Sequence, residues 1–197
     1  MITFLKGNII ELSPTHAIID CNGVGYYLNI SLYTFSKFEN NTNTTTASKL
    51  FTYLSIKEDA HTLYGFFDKI ERDCFCLLLS VSGVGASTAR MILSSLKPDE
   101  LKQVIVGGDV DALKSVKGIG LKSAQRIIID LKDKMNINTS VDLTLSNETT
   151  SVKQETLYAL EKLGFSIKKM QPIIDKILYE NSDLSVEEVI KMALKTV

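Results

Sequence analysis

The sequence predicts a multidomain α+β protein: a small N-terminal β-barrel, an all-α domain built on a repeated helical hairpin, and a three-helix C-terminal domain. Three observations lead there. Up to residue 67 the chain is a series of short β-branched and aromatic runs, whereas after Asp68 its apolar residues recur every three or four positions. Within the helical part a pattern repeats: Ser80, Val81, Gly83, Gly85 and Ala89 match Ser115, Val116, Gly118, Gly120 and Ala124, each pair 35 residues apart. Finally, the polar tract 136–150 has no periodicity and reads as a flexible linker to a separate module.

The strands expected in residues 1–67 are "ITFLKGNIIEL", "HAIIDC", "YYLNIS", "KLFTYLSI" and "HTLYGF", divided by Asn-Gly, Gly and polar breaks. Five short strands in so few residues suit a closed barrel. The tract "NNTNTTT" at 40–46 has nothing to bury and reads as a surface loop. Residues 68–135 give five helices, "KIERDCFCLLLSV", "ASTARMILSSL", "PDELKQVIV", "DVDALKSV" and "LKSAQRIIIDLKDKM", with Pro98 suited to a first turn. In residues 151–197 the stretches "SVKQ" and "SVEE" both fit a capping box at a helix start. An exposed face around Leu157, Leu160, Leu163 and Phe165 is one reading of this module, and a small core of its own is the other.

With 197 residues, 45% of them apolar, the chain can bury a good core. No apolar run approaches the roughly 18 residues of a membrane span, and the N-terminus shows no export signal, so the expected location is the cytoplasm. Cys21, Cys74 and Cys76 are too few and too poorly spaced for a zinc site and are expected as reduced, buried thiols. The net charge of −1 is unevenly spread. Residues 83–134 hold nine Lys or Arg against six Asp or Glu, while residues 1–67 and 135–197 are both net negative.

Both Gly-x-Gly turns lie in that net-positive segment. A helix starting just after such a turn presents unpaired amides and the positive end of its dipole, and glycine lets another backbone come close. The spacing is neither the G-x-x-x-x-G-K-[ST] of a mononucleotide loop nor the G-x-G-x-x-G of a dinucleotide fold, and helices flank both copies. What remains is helix, Gly-x-Gly hairpin, helix: the helix-hairpin-helix element, which holds a nucleic-acid backbone by its amides. A single copy would be read first as a corner with a C-capping glycine. Two copies in one register read as a paired backbone clamp. Its candidate contacts are Gly83, Gly85 and Ser87 in the first copy, and Lys117, Gly118, Gly120, Lys122 and Arg126 in the second.

Glu58 and Asp59, in "SIKEDAHTL", fall between two expected strands at a hairpin tip. Taken alone they are a solvated turn, and as neighbours they make a poor metal chelate for a nuclease.

With "MITFLKGNI", "GVGYYL", "KEDAHTLYGF" and the paired "GVG" and "GIG" in that order, the chain resembles the RuvA family over essentially its whole length. These are the DNA-binding subunits of the bacterial Holliday junction branch-migration complex. The resemblance implies an OB-fold barrel, a tandem helix-hairpin-helix domain and a small UBA-like three-helix domain. It implies a homotetramer, or an octamer when a second tetramer closes over the DNA, holding a four-way junction open and square. It also implies recruitment of the RuvB ATPase through residues 151–197, RuvC resolvase as a further partner, and no cofactor, metal or catalytic residue in this chain. Glu58 and Asp59 become an acidic pin at the junction centre. Family members commonly carry lysine where this sequence has Ser87, so the first hairpin is expected to carry less charge.

Overall fold

The computed structural model describes residues 2–40, 47–142, 148–181 and 184–196, which form two compact units, residues 1–136 and 137–197. The first unit opens with strands β1 (Phe4–Leu12), β2 (His16–Cys21) and β3 (Val24–Ile30), helix α1 (Leu32–Glu39), then β4 (Ser48–Ile56) and β5 (His61–Phe66). The strands close into a barrel in the order β1-β2-β3-β5-β4, with β3 and β5 parallel and every other pair antiparallel. That is the OB-fold arrangement. β1 closes it by serving two neighbours: Phe4–Gly7 pair with β4 and Asn8–Leu12 with β2. Gly7 marks the changeover, and a Cβ there would lie 1.9 Å from the Asp20 carbonyl oxygen, so no other residue fits.

Alternation along the strands turns Leu5, Ala17, Ile19, Leu28, Ile30 and Leu50 into the barrel interior. Helix α1 interrupts what is otherwise a run of strands and was not expected from the sequence. It is short, and Ser31 caps it by accepting from the Thr34 amide at 3.1 Å; its partly buried Phe35 and Phe38 pack onto the barrel core. Residues 41–46 of the expected surface loop lie outside the described residues.

Helices α2 (Lys69–Leu79), α3 (Ala86–Ser95), α4 (Pro98–Gly107), α5 (Val110–Lys114) and α6 (Leu121–Asp142) follow. Asp68 caps α2 by accepting from the Glu71 amide at 2.8 Å, and Pro98 opens α4, as its fixed φ favours. These helices build one core with Tyr64 and Phe66 of β5, separate from the barrel interior. The fully buried Phe75 packs against Tyr53, Tyr64 and Phe66, with ring centroids 4.9–5.4 Å apart. Burying one such ring stabilises by roughly 1.5–3 kcal/mol, so the seam between strands and helices is a true interior.

Two expectations need correction here. The stretch 136–150 is not wholly irregular: α6 continues to Asp142 and α7 already begins at Glu148, with residues 143–147 outside the described part. No Gly or Pro interrupts "MNINTSVD", and extending a formed helix costs far less than starting one. The cysteines are free, but only Cys74 is buried; Cys21 is half-buried and Cys76 exposed, because positions two apart on a helix face different ways.

The second unit comprises α7 (Glu148–Lys162), α8 (Ile167–Glu180) and α9 (Val186–Thr196). Leu160, Met170, Ile174, Ile177, Leu178, Val189 and Ala193 form its core, with Leu157 and Phe165 packed against it. Of the four apolar residues singled out in the sequence, only Leu163 is exposed. The capping box holds at Ser185, whose amide donates to Glu188 Oε2 at 2.9 Å while its hydroxyl accepts from the Glu188 amide. At Ser151 it does not, since α7 starts a turn earlier on "ETT", where an acid suits the helix dipole. Among the described residues no helix is long and apolar enough to cross a membrane.

Candidate nucleic-acid interface

The 35-residue repeat is a repeat of structure. At the end of α2 the Ser80 hydroxyl donates to Leu77 O, and at the end of α5 the Ser115 hydroxyl donates to Ala112 O, both at 2.7 Å. The turns then close by Val84 N–H donating to Val81 O at 3.0 Å and Ile119 N–H donating to Val116 O at 3.1 Å. Gly83 and Gly118 have φ of +90° and +89°, a conformation that costs most side chains energy. Beyond the turns, Ala89 and Ala124 donate back to Gly85 O and Gly120 O as the first bonds of α3 and α6. Val81 and Val84 of one turn, and Val116 and Ile119 of the other, enter the same buried cluster, which fixes the two hairpins in one rigid piece.

The second glycine of each turn is the informative one. Gly85 is extended at φ −88° and Gly120 is not left-handed, so backbone strain does not require glycine at either place. Nor does packing: a Cβ built at Gly83, Gly85, Gly118 or Gly120 meets nothing of the protein within 4 Å. The space these glycines leave opens outward. Helices α3 and α6 start there with their first amides unpaired, since no intrahelical carbonyl precedes them.

The side chains around the two turns differ. Lys117, Lys122 and Arg126 are all exposed at the second, where Arg126 Nε lies 3.8 Å from Asp130 Oδ2 and no carboxylate among the described residues pairs with Lys117 or Lys122. The first has Ser82 and the exposed Ser87 in the places of Lys117 and Lys122. Its single guanidinium, Arg90, went unassigned in the sequence because its partners are remote. Arg90 Nη1 donates to Thr15 O at 3.1 Å and Asn29 Oδ1 at 3.0 Å, fastening α3 to the barrel.

Glu58 and Asp59 stand exposed at the tip of the β4–β5 hairpin, where Ile56 pairs with His61 and the Lys57 amide donates to Ala60 O at 2.9 Å. Among the described residues no three His, Cys, Asp or Glu side chains converge as a metal ion would need.

An OB-type barrel with two hairpins in matched register defines a tandem helix-hairpin-helix protein. Family models agree: that for the RuvA N terminal domain matches residues 1–65, that for the SAM-like helix-hairpin-helix tandem matches 75–133, and that for the RuvA C-terminal domain matches 151–197. The proteins named Holliday junction branch migration complex subunit RuvA from Christiangramia forsetii, Bacteroides thetaiotaomicron and Flavobacterium psychrophilum are 50%, 49% and 48% identical to this chain, with 99% of each chain covered. The chain belongs to the RuvA family.

Proposed function

We propose that this chain is the structure-specific DNA-binding subunit of a branch-migration complex, acting in recombination and repair in the cytoplasm. It grips the duplex arms of a Holliday junction by their backbones, holds the junction open and square as a homotetramer or a doubled tetramer, and leaves ATP hydrolysis to a RuvB motor recruited through residues 151–197. RuvC resolvase is a further partner, and the chain itself needs no cofactor.

The observation that carries this reading is the outward opening at Gly85 and Gly120. A glycine that neither strain nor packing demands is accounted for by a backbone arriving from outside. Amides at two helix starts suit phosphate oxygens, and Lys117, Lys122 and Arg126 add charge. Such contacts position DNA without reading its sequence, so the preference must be for junction shape. The purified chain is therefore expected to bind a four-way junction more tightly than linear duplex of equal length at the same stated salt. Equal affinity for the two would refute the proposal.

Glu58 and Asp59 act as the pin. Carboxylates at an exposed tip repel phosphates, and copies gathered at a fourfold centre disfavour a stacked junction. Changing both to Asn is expected to raise affinity for linear duplex and cut the junction-over-duplex ratio about tenfold, with slower migration when the motor is added. A competition assay in which the ratio stays put would return the pair to an ordinary solvated turn.

A further inference from the structure

The first hairpin has the backbone of the second without its cations. Serines occupy positions 82 and 87, and Arg90 is held by the barrel. An ammonium nevertheless stands beside it, contributed by the other copy. Lys134 Nζ lies 3.4 Å from Ser80 Oγ. Because the Ser80 hydroxyl donates to Leu77 O, the oxygen faces Lys134 as an acceptor. Ser80 caps α2 two residues before Ser82, where the first turn begins.

The position follows from a difference in helix length. α3 ends at Ser95, whereas α6 runs on past the matching point, carrying Leu131 and Met135 into the shared core. That anchored extension brings Lys134 to the first hairpin. The residue 35 places earlier is Asp99, already in α4, so the first copy has nothing equivalent to offer the second. Among the described residues no carboxylate lies within ion-pair distance of Lys134, whereas Arg126 has Asp130. An exposed ammonium whose partner among the described residues is a hydroxyl can take a phosphate oxygen.

We propose that Lys134 supplies the first hairpin's missing cation and contacts the DNA phosphate held there. The inference rests on reading the hairpins as a backbone clamp. The competing account is local: a lysine near the end of α2 merely complements the helix dipole. That role would show in thermal stability and leave DNA binding alone.

The test uses the full-length chain and a four-way junction titrated over a salt series, with Lys134→Gln beside a Lys122→Gln control. For each protomer engaged, a lysine that meets a phosphate adds about 0.9 to the slope of log K against log salt, about fivefold in affinity near 0.15 M salt, so the four copies in a homotetramer together add about 3.6 to the slope and roughly three orders of magnitude. Lys134→Gln is expected to lose that much affinity and slope with its melting temperature unchanged, and Ser87→Lys in the same chain is expected to restore both. If Lys122→Gln weakens binding while Lys134→Gln does not, or lowers only the melting temperature, the role of Lys134 is disproved and the clamp stands. Failure of Ser87→Lys to rescue would place the lost charge elsewhere and equally overturn the inference. If wild type shows no junction preference and neither glutamine variant changes binding, the clamp itself is wrong.

Discussion

Replacing both Lys117 and Lys122 by glutamate is expected to weaken four-way junction binding by about two orders of magnitude per engaged protomer near 0.15 M salt, which in a homotetramer abolishes measurable binding. Losing two phosphate contacts in each protomer accounts for roughly 30-fold of this, and the two new carboxylates repel the same phosphates, which adds the rest. Both side chains are exposed and lack carboxylate partners among the described residues, so folding should be untouched and the circular-dichroism melt should overlay wild type. The converse change is Ser87→Lys in the wild-type chain, which puts an ammonium at the place that matches Lys122 and should tighten binding. A double reversal that binds the junction as wild type does would mean that the hairpins only turn corners. The salt series separates this from a general charge effect: a true contact changes the slope by about 0.9 per phosphate, whereas a remote, screened charge changes it by much less.

The hairpins were legible because a repeat is visible without a fold. Register alone aligned Gly83 with Gly118 and Gly85 with Gly120, and the structure gives each pair the same turn. The five strands were legible because β-branched residues alternate between short breaks, and the closed order with one parallel pair satisfies every edge. Features that depend on contacts across the fold were not legible. α1 is eight residues long, and its signal, Ser31 followed by Leu32, Phe35 and Phe38, is a single short periodic run inside a β-rich segment. Arg90 drew no assignment from the sequence, because its acceptors lie 61 and 75 residues away in the chain. Lys134 reaches Ser80 across 54 residues, and only the packing of α6 brings them together. Glu71 is the clearest case, since a glutamate in a helix's first turn is normally a solvated complement to the dipole.

Here Glu71 is fully buried, and removing it is expected to cost the first unit about 3–5 kcal/mol of stability. Its carboxylate gathers three donors from two places in the fold: the Ser31 hydroxyl and, at 2.5 Å, the Thr34 hydroxyl of the capped helix α1, and the Phe67 amide at 3.2 Å. Ser31 is also the cap of α1, and Phe67 opens the passage from β5 into α2, so one side chain ties the barrel's helix to the first helix of the DNA-binding domain. Glu71→Ala strands the Ser31 and Thr34 hydroxyls, while the Phe67 amide keeps Thr34 Oγ1 at 2.9 Å; Glu71→Gln keeps an acceptor in place and should cost much less. Burial pushes the carboxyl up from 4.5 to about 7, against the pull of those donors. In the unfolded chain the group titrates near 4.5, so between that pH and about 7 the folded state holds a proton that the unfolded state has released. Stability from this group is therefore fully present below about pH 4.5, declines as pH rises through the window, and is lost above about 7. The shift amounts to roughly 3 kcal/mol. Urea unfolding of wild type and Glu71→Gln at about pH 5 and about pH 8 isolates the term, because every other carboxylate contributes equally to both proteins. Wild type should lose stability relative to Glu71→Gln on going to the higher pH. A difference between the two proteins that stays constant, or grows in favour of wild type, would show instead that the three donors keep the buried carboxylate ionised throughout.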